Sequence, residues 1–122
     1  MNDRRAKTLG RLGEEQAARH FERLGYDVLA RNHRTRFGEL DLVVADRDHI
    51  VFVEVKSRRS GNGSPWQNLH EPKQKQVRRM AAAWLAETTD RPFAAELRFD
   101  AVAVVLTPAG ELVSLEHLEG AF

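Results

Sequence analysis

The chain has 122 residues, enough for one domain (1–122) with a single core and too few for two. Hydrophobic residues at 42% and charged residues at 30% suit a globular protein, and the absence of cysteine excludes a disulfide frame and a thiolate zinc site. No apolar run approaches the roughly 20 residues of a membrane span and MNDRRAKTLGRLGEE has no apolar signal core, so no membrane role and a cytoplasmic location are expected.

Residues 8–24 predict a helix. Leu9, Leu12, Ala17, Phe21 and Leu24 fall on one stripe, and Gly25 stops it. Gly10 and Gly13 each cost such a helix about 1 kcal/mol relative to alanine. They imply a later start, or a close approach of its backbone to the sheet or to a phosphate chain. Residues 26–32 read as a strand, with Tyr26, Val28 and Ala30 alternating against Asp27, Leu29 and Arg31.

The stretch 38–58, GELDLVVADRDHIVFVEVKSR, reads as two strands joined by a tight turn. A two-residue loop at Arg47-Asp48 pairs Asp46 with His49, sets Asp41 opposite Glu54 and sets Glu39 opposite Lys56. Opposed residues share a face, so Glu39, Asp41, Glu54 and Lys56 are expected on one side, continuing into Val43, Ala45, Ile50 and Phe52. The other face carries Leu40, Leu42, Val44, Val51, Val53 and Val55. A hairpin apolar on both faces is covered on both. Asp41 and Glu54, about 5 Å apart at Cβ, would then grip one divalent cation, with Lys56 beside it for a water or a phosphate. The ordinary alternative is a cross-strand ion-pair patch, Glu39 with Lys56 and Asp41 with Arg58.

Residues 57–70 (SRRSGNGSPWQNLH) read as a loop. Arg58, Arg59, Trp66 and His70 would meet a nucleic-acid backbone or an unstacked base there, or Trp66 would plug the core or a dimer contact. Pro72 opens a helix to about Thr88 with Val77, Met80, Ala81, Trp84 and Leu85 inward. Two strands follow, 96–106 and 111–118, joined through Pro108-Ala109-Gly110. Asp100 is expected in a structural salt bridge.

The net charge is only +1, but the bases are unevenly spread. Residues 31–36 hold three arginines and one histidine without an acid, and 56–79 hold seven Lys/Arg against Glu71 alone. A basic zone around a carboxylate centre suits a phosphate-rich substrate over a metal, although most such runs are simply solvated.

Asp41 followed by Glu54-Val55-Lys56 resembles the D…ExK signature of the PD-(D/E)XK nuclease superfamily. The longer string G-E-x-D-L…F-V-E-V-K-x-R is similar to the YraN-like family within it, small bacterial proteins related to archaeal Holliday-junction resolvases. Gly10-x-x-Gly13-Glu14-x-x-Ala17, the basic strand end Arg31-Asn32-His33-Arg34, and Lys73-Gln74 with Trp84-Leu85 extend the likeness over about 10–118. The resemblance implies an α/β restriction-endonuclease-like core, a mixed central β-sheet flanked by helices in the order α-β-β-β-α-β-β. It implies a Mg²⁺- or Mn²⁺-dependent endonuclease hydrolysing DNA, including structured or branched DNA. Asp41, Glu54 and the Val55 carbonyl would ligate the ion, joined by Glu14 from the first helix. Lys56 would orient the attacking water or neutralise the transition state, and Glu39 would hold Lys56 or a water on the ion. Arg34, Arg36, Arg58, Arg59, Lys73 and Gln74 would face the nucleic acid, and junction cutting would favour a homodimer. The alternative is a nucleic-acid-binding or assembly protein that keeps the nuclease fold without turnover.

Overall fold

The computed structural model describes residues 3–64, 66, 71–94 and 96–122, with side chains described for all of these except 3–7 and 71–73. Its elements are α1 (Asp3–Arg23), β1 (Asp27–Thr35), β2 (Gly38–Ala45), β3 (His49–Arg59), α2 (Glu71–Glu87), β4 (Glu96–Leu106) and β5 (Leu112–Leu118). The strands form one mixed sheet in the order β1-β2-β3-β4-β5. Among the described residues only β3 and β4 run parallel, and parallel neighbours need a crossover, which α2 supplies. This is the expected α/β order. Among the described residues, no helix is long and apolar enough to cross a membrane.

The helices cover opposite faces. Under α1, Ala17, Ala18 and Phe21 pack on Leu42, Val44, Val51, Val53, Val102, Val104 and Leu106. Under α2, Val77, Met80, Ala81 and Trp84 pack on Leu40, Val43, Ala45, Ile50 and Phe52. β3 is therefore apolar on both sides from Ile50 to Val53, as a doubly covered strand must be. Leu12 and Leu24, expected on the inward stripe of α1, are exposed. The helix instead presents its small residues: a Cβ on Gly13 would stand 1.8 Å from Ser57 Oγ and 2.9 Å from Ser57 Cβ. With the closest approach at Gly13, Leu12 is turned about 100° off the contact, and Leu24 lies beyond the last helical residue. Gly13 thus marks close packing on the sheet, while a Cβ on Gly10 would meet nothing within 4 Å.

The hairpin turn is as expected. Asp46 N–H donates to His49 O at 3.1 Å, and Asp46 Oδ1 accepts the backbone N–H groups of Asp48 and His49 at 2.9 and 2.8 Å. The pairs Ala45–Ile50, Val44–Val51, Val43–Phe52 and Leu42–Val53 follow from that two-residue loop.

Beyond Leu42 the regular pattern stops, which corrects the single charged face expected for the hairpin. The β2–β3 ladder ends at Leu42–Val53. Asn32, flanked by the pairs Arg31–Leu42 and His33–Leu40, takes a left-handed φ of 49°. A strand residue so twisted breaks the pleat, and the alternation slips. Leu40 packs beneath α2 while Leu42 packs beneath α1, although a regular strand would put both on one face. Glu39 accordingly lies beside Asn32 and Arg34 rather than opposite Lys56.

On β4, beside Val53, fully buried Asp100 accepts from Arg98 Nε and Nη2, both at 2.8 Å, from His117 Nε2 at 2.7 Å and from Gly120 N–H at 3.0 Å. This is the structural salt bridge expected of it, and it ties β4, β5 and the C-terminal turn together.

Candidate metal centre

The site grows out of the fork between β2 and β3. Asp41 Oδ2 accepts the Val55 N–H at 2.9 Å, so a side chain stands where the strand backbone would have paired. Val55 enters the site through its N–H. One residue after Asp41's bonding partner, Lys56 Nζ lies 3.4 Å from Glu54 Oε2, and the Glu54 side chain is only 6% exposed. Lys56 is thus paired to the acid two residues before it, in place of the expected pairing with Glu39.

Glu14 reaches the same region from α1. The bare Cα of Gly13 lets the helix settle on Ser57, which lowers the next residue toward the fork. Glu14 Oε1 accepts from Asn32 Nδ2 at 2.7 Å, and the same nitrogen lies 3.3 Å from Glu39 Oε1. Among the described residues, Glu14, Glu39 and Asp41 each offer a carboxylate oxygen within 4.8 Å of the others. Glu54 stands outside this mutually close trio, yet its charge is felt at Glu14. Burial pushes the Glu14 carboxyl up, the Asn32 hydrogen bond opposes this, the charge of Glu39 reinforces it, Arg11 pulls it down, and Glu54 adds the smallest push upward.

Such a cluster suits a hard divalent cation. Carboxylate oxygens are the donors Mg²⁺ and Mn²⁺ take, and two oxygens across one ion stand about 4–5 Å apart, given bonds of about 2.0–2.6 Å. A cation would also offset the burial that chiefly raises Glu14 and the smaller repulsion from Glu39 and Glu54. A cleft of about 330 Å³ opens beside the trio, lined by Gly10, Arg11, Glu14, Asn32, Arg34 and Glu39.

The predicted nucleic-acid contacts divide. Arg34 borders the cleft, 84% exposed and 3.8 Å from Glu39 Oε2. Arg36 lies over the Phe37 ring at 4.8 Å and lines a separate groove with Arg79, Ala82 and Ala83 of α2. Arg58 bonds the Ser57 carbonyl at 3.1 Å. Arg59 bonds the Thr107 and Pro108 carbonyls at 3.2 and 3.0 Å, a brace for the β4–β5 turn, and β3 runs on to include both arginines where a loop was expected. Gln74 is half-buried on α2, while Gln76, two residues further along, bonds the Phe37 carbonyl at 2.8 Å just before Gly38. The side chain of Lys73 and all of His70 lie outside the described residues. Trp66 is half-buried, and its N–H lies 3.2 Å from Ser64 Oγ.

Asn32 and Arg11 were not singled out as site residues by the sequence pattern. Asn32 carried a usable signal, since asparagine is among the few residues enriched at positive φ. Arg11 stands three residues before Glu14, one helical turn away on the same side.

The family model described as "Uncharacterised protein family UPF0102" matches residues 13–104, a span holding Glu14, Asn32, Glu39, Asp41, Glu54 and Lys56. A UPF0102 protein of Frankia casuarinae is 49% identical over 97% of this chain and 99% of its own length. One from Nocardia farcinica is 44% identical over 95% and 90%, and one from Bifidobacterium longum 42% over 95% and 94%. The chain belongs to the uncharacterised protein family UPF0102, the YraN-like family that its motifs resemble.

Proposed function

We propose that this protein is a metal-dependent endonuclease that hydrolyses phosphodiester bonds of DNA, structured or branched DNA included. The observation that supports this best is the convergence of Glu14, Glu39 and Asp41 within 4.8 Å, beside the pair that half-buried Lys56 makes with buried Glu54. Mg²⁺ or Mn²⁺ held by Asp41 with Glu14, Glu39 or Glu54 would supply charge neutralisation at the scissile phosphate and activation of the attacking water.

The chain's own groups do the remaining work. The Val55 N–H holds the Asp41 carboxylate at the fork, which orients one donor oxygen without a rotamer search. Glu54 keeps the Lys56 ammonium at the fork mouth, where it donates to a phosphate oxygen as negative charge builds there. Arg34 and Arg11 flank the cleft and hold the neighbouring phosphates, a local field that the overall charge of +1 would not provide.

The test is a cleavage screen over linear, branched and single-stranded DNA with Mg²⁺, Mn²⁺ and EDTA. Cutting that requires the metal and is lost in Asp41→Asn is expected. DNA binding with a steep salt dependence but no cutting with either ion would replace this reading by a binding module that keeps the fold.

A further inference from the structure

Asn32 is the one non-glycine residue with positive φ among the described residues, and it sits where β1 passes the fork. In a strand interior this conformation is costly for most side chains, and it persists only where something holds it. What it achieves here is orientation. The left-handed turn brings the amide alongside Glu14, eighteen residues back on α1, and Glu39, seven residues on along the chain. A single Nδ2 lies 2.7 Å from Glu14 Oε1 and 3.3 Å from Glu39 Oε1. The amide must present its nitrogen to the two acids, because its oxygen there would be repelled by both.

From this geometry we infer that Asn32 is a positioning residue that holds Glu14 and Glu39 in register with Asp41, so that three oxygens from two elements, α1 and β2, face one point. The inference rests on the metal-binding reading of the cluster. Glu14 alone on its helix has a long side chain with several rotamers, and Glu39 is drawn outward by Arg34. Asn32 bonds both and fixes them before any cation arrives. The paired bond also explains why a strand gives up its regular pleat here.

Asn32→Gly keeps the left-handed backbone and deletes both hydrogen bonds. Calorimetric titration with Mn²⁺ alone should show affinity weakened about tenfold or more, the range seen when a group behind a metal ligand is removed. The loss should be much smaller when Asn32→Gly is made in a Glu14→Ala background, because the amide then has one of its acids missing. A role confined to the backbone would leave Mn²⁺ affinity unchanged in Asn32→Gly, and that result overturns the inference. Wild-type protein that takes up no Mn²⁺ sinks the metal reading first and this inference with it, so the two failures are distinct. Asn32→Asp provides a metal-free check should the glycine variant fail to fold. It preserves size and tolerance of positive φ but turns a carboxylate toward Glu14 and Glu39. It should melt several degrees below wild type, and Glu14→Gln should recover part of that loss. An Asn32→Asp protein as stable as wild type would show that the amide does not face the acids.

Discussion

Lys56 and Asp41 have separable tasks at the residue scale. Lys56 touches Glu54 and faces the reacting phosphate in the proposed chemistry. Lys56→Ala should therefore abolish cleavage while DNA affinity, measured by fluorescence anisotropy, stays within a few-fold. Arg34 should behave in the opposite way. It is highly exposed at the cleft rim, and its loss should flatten the slope of log affinity against log salt by about 0.9 on duplex DNA. Arg59 should contribute less to binding than its place in the sequence suggests, because its guanidinium is committed to the Thr107 and Pro108 carbonyls. At Asp41 two substitutions divide structure from chemistry. Asp41→Asn keeps an oxygen for the Val55 N–H and relieves repulsion, so its urea stability without metal should stay near wild type. Asp41→Ala leaves that N–H without its acceptor and should lose about 1–3 kcal/mol, the usual cost of an unsatisfied partly buried group. Both should bind Mn²⁺ poorly.

The seating of α1 on β3 is the contact that decides the site at the scale of elements. Gly13→Ala gains helix propensity of about 1 kcal/mol but drives a methyl into Ser57, and overpacking of that kind costs about 1–3 kcal/mol. The variant should be less stable by denaturant titration, weaker for Mn²⁺ because Glu14 is lifted from the fork, and partly rescued by Ser57→Gly. Gly10→Ala meets nothing within 4 Å and should instead stabilise the helix by about 1 kcal/mol. The hairpin turn, the β2–β3 register from the turn as far as Leu42–Val53 and the inward stripe of α2 were legible from the sequence, because alternation and a two-residue loop leave few solutions, but the expected pairs Asp41–Glu54 and Glu39–Lys56 lie beyond the ladder's end. The slip between Leu40 and Leu42 was not. It depends on a left-handed Asn32 in a neighbouring strand and on an Asp41 side chain replacing a backbone partner, and neither is a periodic signal. For the same reason Glu14, placed in the site by resemblance, comes to lie beside Glu39, whereas the expected Glu39–Lys56 opposition does not form. Leu12 and Leu24 misled because hydrophobicity outweighed smallness in choosing the inward face of α1, and close packing reversed that weight.

For the molecule as a whole, the response to pH is set by one connected cluster, His20, His117 and Asp100. His20 Nε2 lies 2.9 Å from His117 Nδ1, and the other ring nitrogen of His117, Nε2, bonds Asp100 Oδ2 at 2.7 Å. Burial, together with the neighbouring His117 and Arg23, holds the His20 pKa below the ordinary 6.5. The unfolded chain then takes up this proton first, so the contribution is fully present above pH 6.5 and fades as pH falls through the lower folded value. Burial works to raise Asp100, but its bonds to Arg98, His117 and Gly120 prevail and hold it below 3.8, so its contribution persists until more acid conditions. The urea midpoint should thus fall between pH 7.5 and 5.5 in wild type, and that first decline should flatten in His20→Gln while the acid step below pH 4 remains. The acids to which the proposed activity is tied converge at the fork between β2 and β3, and that activity requires them to hold one ion. An anomalous-scattering map from crystals soaked in Mn²⁺ tests it most directly. One strong peak is expected within about 2.0–2.6 Å of the Asp41 carboxylate and of at least one of Glu14, Glu39 and Glu54. A peak elsewhere, or none at Mn²⁺ concentrations that saturate calorimetric binding, would contradict it.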